Sequence, residues 1–209
     1  MGETLDKHYK KVGLFGGTFD PIHWGHIKAA TAIFEKLTLD HLYFVPAYVS
    51  PFKMKIQSAS DRDRLAMLKL ALGGHANFSI SEYELNKKET SFTIETLRHY
   101  KKLLSNDVVL YLILGSDAFE GISQWKEVKE IFAVCHLIVV SRPGYPLKSK
   151  AHDTHYSGNQ VLFFQLPLLD ISSTQLREKI DHGEEYSDLI PASVEQYIRT
   201  HRLYQKSNG

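Results

Sequence analysis

The sequence predicts an α/β fold, a single doubly wound and mainly parallel sheet closed by C-terminal helices. Val108 to Leu114 is apolar at every position, and His136 to Val140 resembles it, as strands covered on both faces should. Between the candidate strands, apolar residues recur at helical spacing, so strands and helices alternate along the chain. Near the start, the run Val12 to Phe15 meets Gly16-Gly17 and then an amphipathic stretch, which reads as strand, tight turn and helix.

Val12 to Phe15 is the first strand, Ile27, Ala30 and Phe34 share one face of the first helix, and His41 to Val45 is the second strand. Ser60-Asp61-Arg62-Asp63 reads as a helix cap. Leu65, Leu68 and Leu72 give that helix its apolar stripe, and Gly73-Gly74 ends it. A strand is expected over Phe78 to Ser81, and after the polar Asn86-Lys87-Lys88-Glu89 another helix carries Ile94, Leu97, Tyr100 and Leu104. Beyond the two central runs, Val161 to Gln165 offers a last strand, and Ser172 to Ile180 and Ala192 to Thr200 two closing helices. Pro143 to Gly158 reads as a mobile loop and residues 205–209 as a frayed tail. No repeat or linker divides the chain, so residues 1–209 are expected to form one domain.

At 209 residues the chain can bury about 70% of its unfolded surface and needs no staple. Its 25 basic residues almost balance 24 acidic ones, so the overall field favours neither nucleic acid nor an anionic membrane as partner. Cys135 is the only cysteine, which rules out a disulfide framework within the chain and fits a cytoplasmic setting. Lying in Phe132-Ala133-Val134-Cys135-His136-Leu137-Ile138, it reads as a small buried apolar residue rather than a nucleophile. Met1 to Lys7 holds no apolar signal region, and no stretch approaches the ~20 apolar residues of a membrane span. Asp6 stands where a myristoylation signal needs Ser or Thr.

Five polar segments fall at the carboxyl ends of candidate strands, where doubly wound sheets bind ligands. They are Gly16 to His26, Pro46 to Lys53, Gly115-Ser116-Asp117, Ser141-Arg142-Pro143 and Ile171 to Arg177. The first is suited to phosphate: glycines without a Cβ, amides at a helix start, and the imidazoles of His23 and His26 as further donors. It is neither a Gly-x-Gly-x-x-Gly fingerprint nor a Gly-Lys-Ser/Thr phosphate loop, and the histidines lack the spacing of a zinc helix. No metal site built from protein ligands is expected. A bare histidine pair would more simply be a solvated helix start; the preceding Gly16-Gly17 turns the reading toward an anion.

Gly-Gly-Thr-Phe-Asp-Pro-Ile-His-x-Gly-His (Gly16 to His26) together with Ile-Ser-Ser-Thr-x-Leu-Arg (Ile171 to Arg177) resembles the nucleotidylyltransferase superfamily. The segments between and after them narrow the likeness to the bacterial nicotinate-nucleotide adenylyltransferase family: Ser50-Pro51-Phe52-Lys53, Ser91-Phe92-Thr93, Gly115-Ser116-Asp117, Trp125, Arg142 to Pro146, and Leu189-Ile190-Pro191 running to Leu203-Tyr204. The resemblance covers nearly the whole chain. It implies a Rossmann-like fold and transfer of AMP from ATP to nicotinate mononucleotide, giving deamido-NAD and pyrophosphate, with Mg2+ carried mainly by ATP oxygens and water.

By the same likeness His23, His26 and Arg177 form the catalytic set on the triphosphate, with Ser172 and Ser173 beside Arg177. Gly16, Gly17, Thr18 and Phe19 line the adenylate side, and Gly115 and Asp117 meet nucleotide sugar. Trp125 stacks on the pyridine ring, Thr93 frames it, and Lys53 and Arg142 face phosphate. Without that likeness, Trp125 would be a surface helix anchor among Lys126, Glu127, Lys129 and Glu130, and Arg142 a solvated strand end. One departure is Phe52, where the family commonly has histidine before the basic residue. The partners implied are the small molecules ATP and nicotinate mononucleotide; association into homo-oligomers is left open. The competing readings are a nicotinamide-mononucleotide or dual-specificity adenylyltransferase and a non-catalytic nucleotide-binding relative.

Overall fold

The computed structural model describes residues 9–49, 59–141, 160–165 and 171–205. Within them six strands form one sheet, β1 Lys11–Gly17, β2 His41–Pro46, β3 Phe78–Ile80, β4 Val109–Gly115, β5 His136–Ser141 and β6 Val161–Gln165. Their order is β3-β2-β1-β4-β5-β6, and every pairing is parallel. The expected sheet is therefore present, and parallel throughout its described strands. Strand order reverses between β1 and β4, the switch point at which such sheets open a crevice beyond their carboxyl ends.

Eight helices flank the sheet in these residues: α1 Trp24–Leu37, α2 Asp61–Leu72, α3 Tyr83–Lys87, α4 Thr93–Leu103, α5 Ser116–Glu120, α6 Val128–Val134, α7 Ser173–Asp181 and α8 Ala192–His201. Alternation along each strand sends side chains to two separate cores. Phe15, Leu42, Phe44, Ile113 and Ile138 pack with residues of α1, α2, α7 and α8. Val12, Leu14, Tyr43, Leu112 and Leu137 pack with residues of α4, α5 and α6. The periodicity marks no helix over α3 or α5, each five residues long, and α6 is only seven; pieces this short barely complete one apolar period.

The cap expected before α2 is present: Ser60 Oγ accepts from the Asp63 amide, worth about 1 kcal/mol. The stripe behind it differs from the expected one. Leu68 and Leu72 are buried, but Arg64 takes the innermost place in the first turn, 2% exposed, and Leu65 is half-buried. A charge can go there because its guanidinium finds partners, described below. Among the described residues no helix is long and apolar enough to cross a membrane. Pro143 to Gly158 and residues 206–209 lie outside the described residues.

Candidate active site

The β1–β4 register, with Phe15 opposite Ile113, brings Gly16-Gly17 and Gly115 to the same end of neighbouring strands. Pro46 stands opposite Gly17, and Val140 opposite Gly115. The two glycines after β1 differ in what they do. A Cβ on Gly16 would meet nothing within 4 Å, whereas one on Gly17 would strike the Phe19 ring at 2.9 Å. Gly16 is thus the open approach to the crevice, and Gly17 makes room for packing. Phe19 sits at φ 51°, a left-handed conformation costing about 1–2 kcal/mol. Its ring is 1% exposed among Phe15, Phe44 and His26, and burying a phenylalanine returns about 1.5–3 kcal/mol. Phe19 therefore supports the site from beneath.

His23 is the N-cap of α1, in extended conformation with φ −146°, and its carbonyl accepts from the amides of His26 and Ile27. Helix geometry leaves the amides of Trp24 and Gly25 without a carbonyl inside the helix to bond. No acidic side chain occupies this first turn, so the positive end of a 14-residue helix is available to an anion. The rings of His23 and His26 stack with centroids 3.7 Å apart. Gly25 between them is confined: an added Cβ would lie 2.9 Å from the His23 ring and 3.0 Å from Ile171 Cγ2.

That last contact joins the two distant motifs. Ser173 Oγ donates to the Pro21 carbonyl at 3.0 Å, and Arg177 Nη1 donates to the Asp20 carbonyl at 2.6 Å. Arg177, 14% exposed, also lies 3.7 Å from Asp20 Oδ2, and its Nη2 donates to Thr174 Oγ1. Ser172 caps α7 by accepting from the Gln175 amide, while the Gln175 side chain accepts from the Ser172 amide. Both serine hydroxyls and the Arg177 guanidinium thus have protein partners.

On the other side of the sheet, Thr93 opens α4 behind the N-cap Phe92, and Trp125 follows a short 3-10 turn over Ile122–Gln124. Phe92 and Trp125 both pack, partly buried, on the second core. Ion pairs tie their segments together: Glu95 takes Lys87 and Lys126, and Arg98 takes Glu127 and Glu130. The Lys126 and Lys87 ammonium groups hold the Glu95 carboxyl below its ordinary range. Lys126 also lies over the Phe92 ring, 4.5 Å from its centre. Asp117 is exposed in the first turn of α5, and its Oδ1 would be 2.5 Å from a Cβ on Gly115. Lys53 and Arg142, with Phe52, lie outside the described residues.

Several residues matter here that sequence reasoning assigned no role. Arg64 Nη1 donates to the Thr18 carbonyl at 2.8 Å and Nη2 pairs with Asp61. Asp20 Oδ1 accepts from the Ala59 amide at 3.0 Å and from the Tyr204 hydroxyl at 2.8 Å; burial and that carboxyl push the Tyr204 pKa upward. Near α4, buried Glu84 accepts from Thr96 Oγ1 at 2.5 Å, and burial raises its carboxyl. Asp20 and Tyr204 carried a signal in lying within the motifs quoted above, and Arg64 in being a charged residue inside an apolar stripe.

The parallel sheet, with the two motifs joined beyond its strand ends, is the architecture of the nucleotidylyltransferases. The sequence model of the cytidylyltransferase-like family matches residues 14–179. A Clostridium tetani protein named probable nicotinate-nucleotide adenylyltransferase is 38% identical over 94% of this chain and 100% of its own length. A Clostridium botulinum protein of the same name is 36% identical over 92% of this chain and 98% of its own. The chain belongs to this family, in its branch of nicotinate-nucleotide adenylyltransferases. The fold agrees with that of the Plasmodium falciparum nicotinic acid mononucleotide adenylyltransferase solved with NaAD, at TM-score 0.77 and 19% identity over 93% of this chain and 97% of that one.

Proposed function

We propose that this adenylyltransferase works by direct in-line attack of the nicotinate mononucleotide phosphate on the α-phosphorus of ATP. One P–O bond forms as the bond to pyrophosphate breaks, and deamido-NAD remains. The nucleophile is a phosphomonoester, whose second pKa of about 6 leaves it largely ionised at neutral pH. It needs no general base. The protein's part reduces to aligning two anions and stabilising charge on the α-phosphate and the departing pyrophosphate.

The observation that carries this reading is the junction of the two motifs, with Arg177 on the Asp20 carbonyl and Ser173 on the Pro21 carbonyl. Given that junction, the α1 amides, His23, His26 and Arg177 would serve one triphosphate. Gly16, Gly17 and Thr18 would border the adenylate with Phe19 beneath, Ser172 and Ser173 would fix the α7 end, and Gly115 and Asp117 would meet sugar hydroxyls. Thr93 and Trp125, in the layer across the sheet, would frame and stack on the pyridine ring, where cation–π attraction adds about 0.5–2 kcal/mol. Lys53 and Arg142 would face phosphate. Among the described residues no group of three His, Cys, Asp or Glu gathers as a metal site. The donors present suit phosphate oxygens, so Mg2+ would enter with ATP, held by its oxygens and water, and offset triphosphate charge. We read residues 1–209 as one domain acting in the cytoplasm, where ATP is available and a lone thiol stays reduced.

Pyrophosphate release with magnesium ATP and each mononucleotide tests the assignment. The expected result is turnover with the acid and much less with the amide, since a site built for a carboxylate leaves its donors unpaired against an amide. Preference for the amide would overturn the substrate, and release with neither would leave a nucleotide-binding relative without turnover.

A further inference from the structure

Beneath the loop between β1 and α1 lies a polar knot whose members come from four parts of the chain. Asp20 is 2% exposed, and its Oδ1 accepts from both the Tyr204 hydroxyl and the Ala59 amide. Its carbonyl accepts from Arg177, whose Nη1 also faces the second carboxyl oxygen at 3.7 Å. Two residues earlier, the Thr18 carbonyl is held by Arg64. A buried carboxylate is tolerated only when its oxygens are satisfied, so the shape of this turn depends on those donors. Tyr204 stands 184 positions from Asp20, beyond the end of α8. Its ring and Leu203 pack against the first core. Packing alone asks for a ring; the hydroxyl is directed at Asp20.

We propose that Tyr204 is a positioning residue for AMP transfer, its hydroxyl fixing through Asp20 the turn from Gly17 to His23 and the Arg177 guanidinium seated on it. The proposal rests on the reading of that turn as the triphosphate loop. Losing the hydroxyl removes one of the two hydrogen bonds that Asp20 Oδ1 accepts from Tyr204 and Ala59, leaving the ring to fill its place. The turn then shifts relative to its ligand without the fold being lost.

The test is Tyr204→Phe, assayed well below its melting temperature. Expected are a kcat about tenfold lower, as for a small misplacement of reacting groups, a raised KM for ATP and an unchanged KM for the mononucleotide. Melting should fall by only about 2–4 °C, as for one lost hydrogen bond in a chain of this size. In Asp20→Ala, which has no oxygen left for the hydroxyl, adding Tyr204→Phe should cost little more, because the two act as a unit. A folded Tyr204→Phe with both constants within about twofold of the parent, or penalties that multiply in the double variant, overturns the proposal. His26→Ala run alongside separates the two levels: lost turnover there with a normal Tyr204→Phe sinks only the role of Tyr204, and normal turnover in His26→Ala sinks the loop reading itself.

Discussion

The imidazoles of His23 and His26 lie face to face, 28° from parallel, with His26 edge-on against Phe19 at 5.1 Å. Under the proposed function, the ring N–H donors of this pair would serve oxygens of the triphosphate. His23→Ala or His26→Ala should each lower kcat by about 10²-fold or more, the range of a lost transition-state donor. Melting should change little for His26→Ala and somewhat more for His23→Ala, since His23 is only 3% exposed. Near-normal turnover in both would remove the histidines from the mechanism.

Gly25→Ala separates stability from activity. Alanine is favoured over glycine inside a helix by about 0.5–1 kcal/mol, yet its Cβ would sit 2.9 Å from the His23 ring. The ring must move, so kcat should drop by at least about tenfold while melting stays close to that of the parent. Unaltered kinetics would mean the His23 ring position is not important.

Glu84 should give stability a pH slope. Burial raises its folded pKa above the ordinary 4.5, so its favourable share is complete below 4.5 and is lost as pH rises through the folded value. Glu84→Gln keeps an oxygen for Thr96 and cannot ionise. The variant should match or exceed the parent in melting temperature near neutrality, with the gap closing toward acid. Melts across that range check the sign, and a variant weaker at neutral pH than in acid would reverse it.

Cys135 should be silent in the folded protein. It is buried, its Sγ lies 3.2 Å from the Ile131 carbonyl, and burial pushes the thiol up to about 12. A thiol-specific disulfide reagent at mildly alkaline pH should label nothing until denaturant is added, and then one thiol per chain. Rapid labelling of the native protein would contradict the burial.

The strands were legible because a residue covered on both faces must be apolar, and β4 and β5 are nearly so at every position. Long helices were legible through their periods; α5, five residues long, had none to show. At the site, Gly16 to His26 could be read as an anion loop because turn, cap and histidines are neighbours in sequence. The split in duty between Gly16 and Gly17 could not, since it depends on where the Phe19 ring falls. Arg64 was hidden for a related reason: its burial depends on the Thr18 carbonyl, 46 positions away.

The bond from Tyr204 to Asp20 also has a meaning in time. A ribosome emits the glycine turn and the paired histidines well before the residue that braces them, which follows Asp20 by 184 positions. A nascent chain that stops short of Tyr204 would thus hold the turn and the histidines without the hydroxyl that braces them.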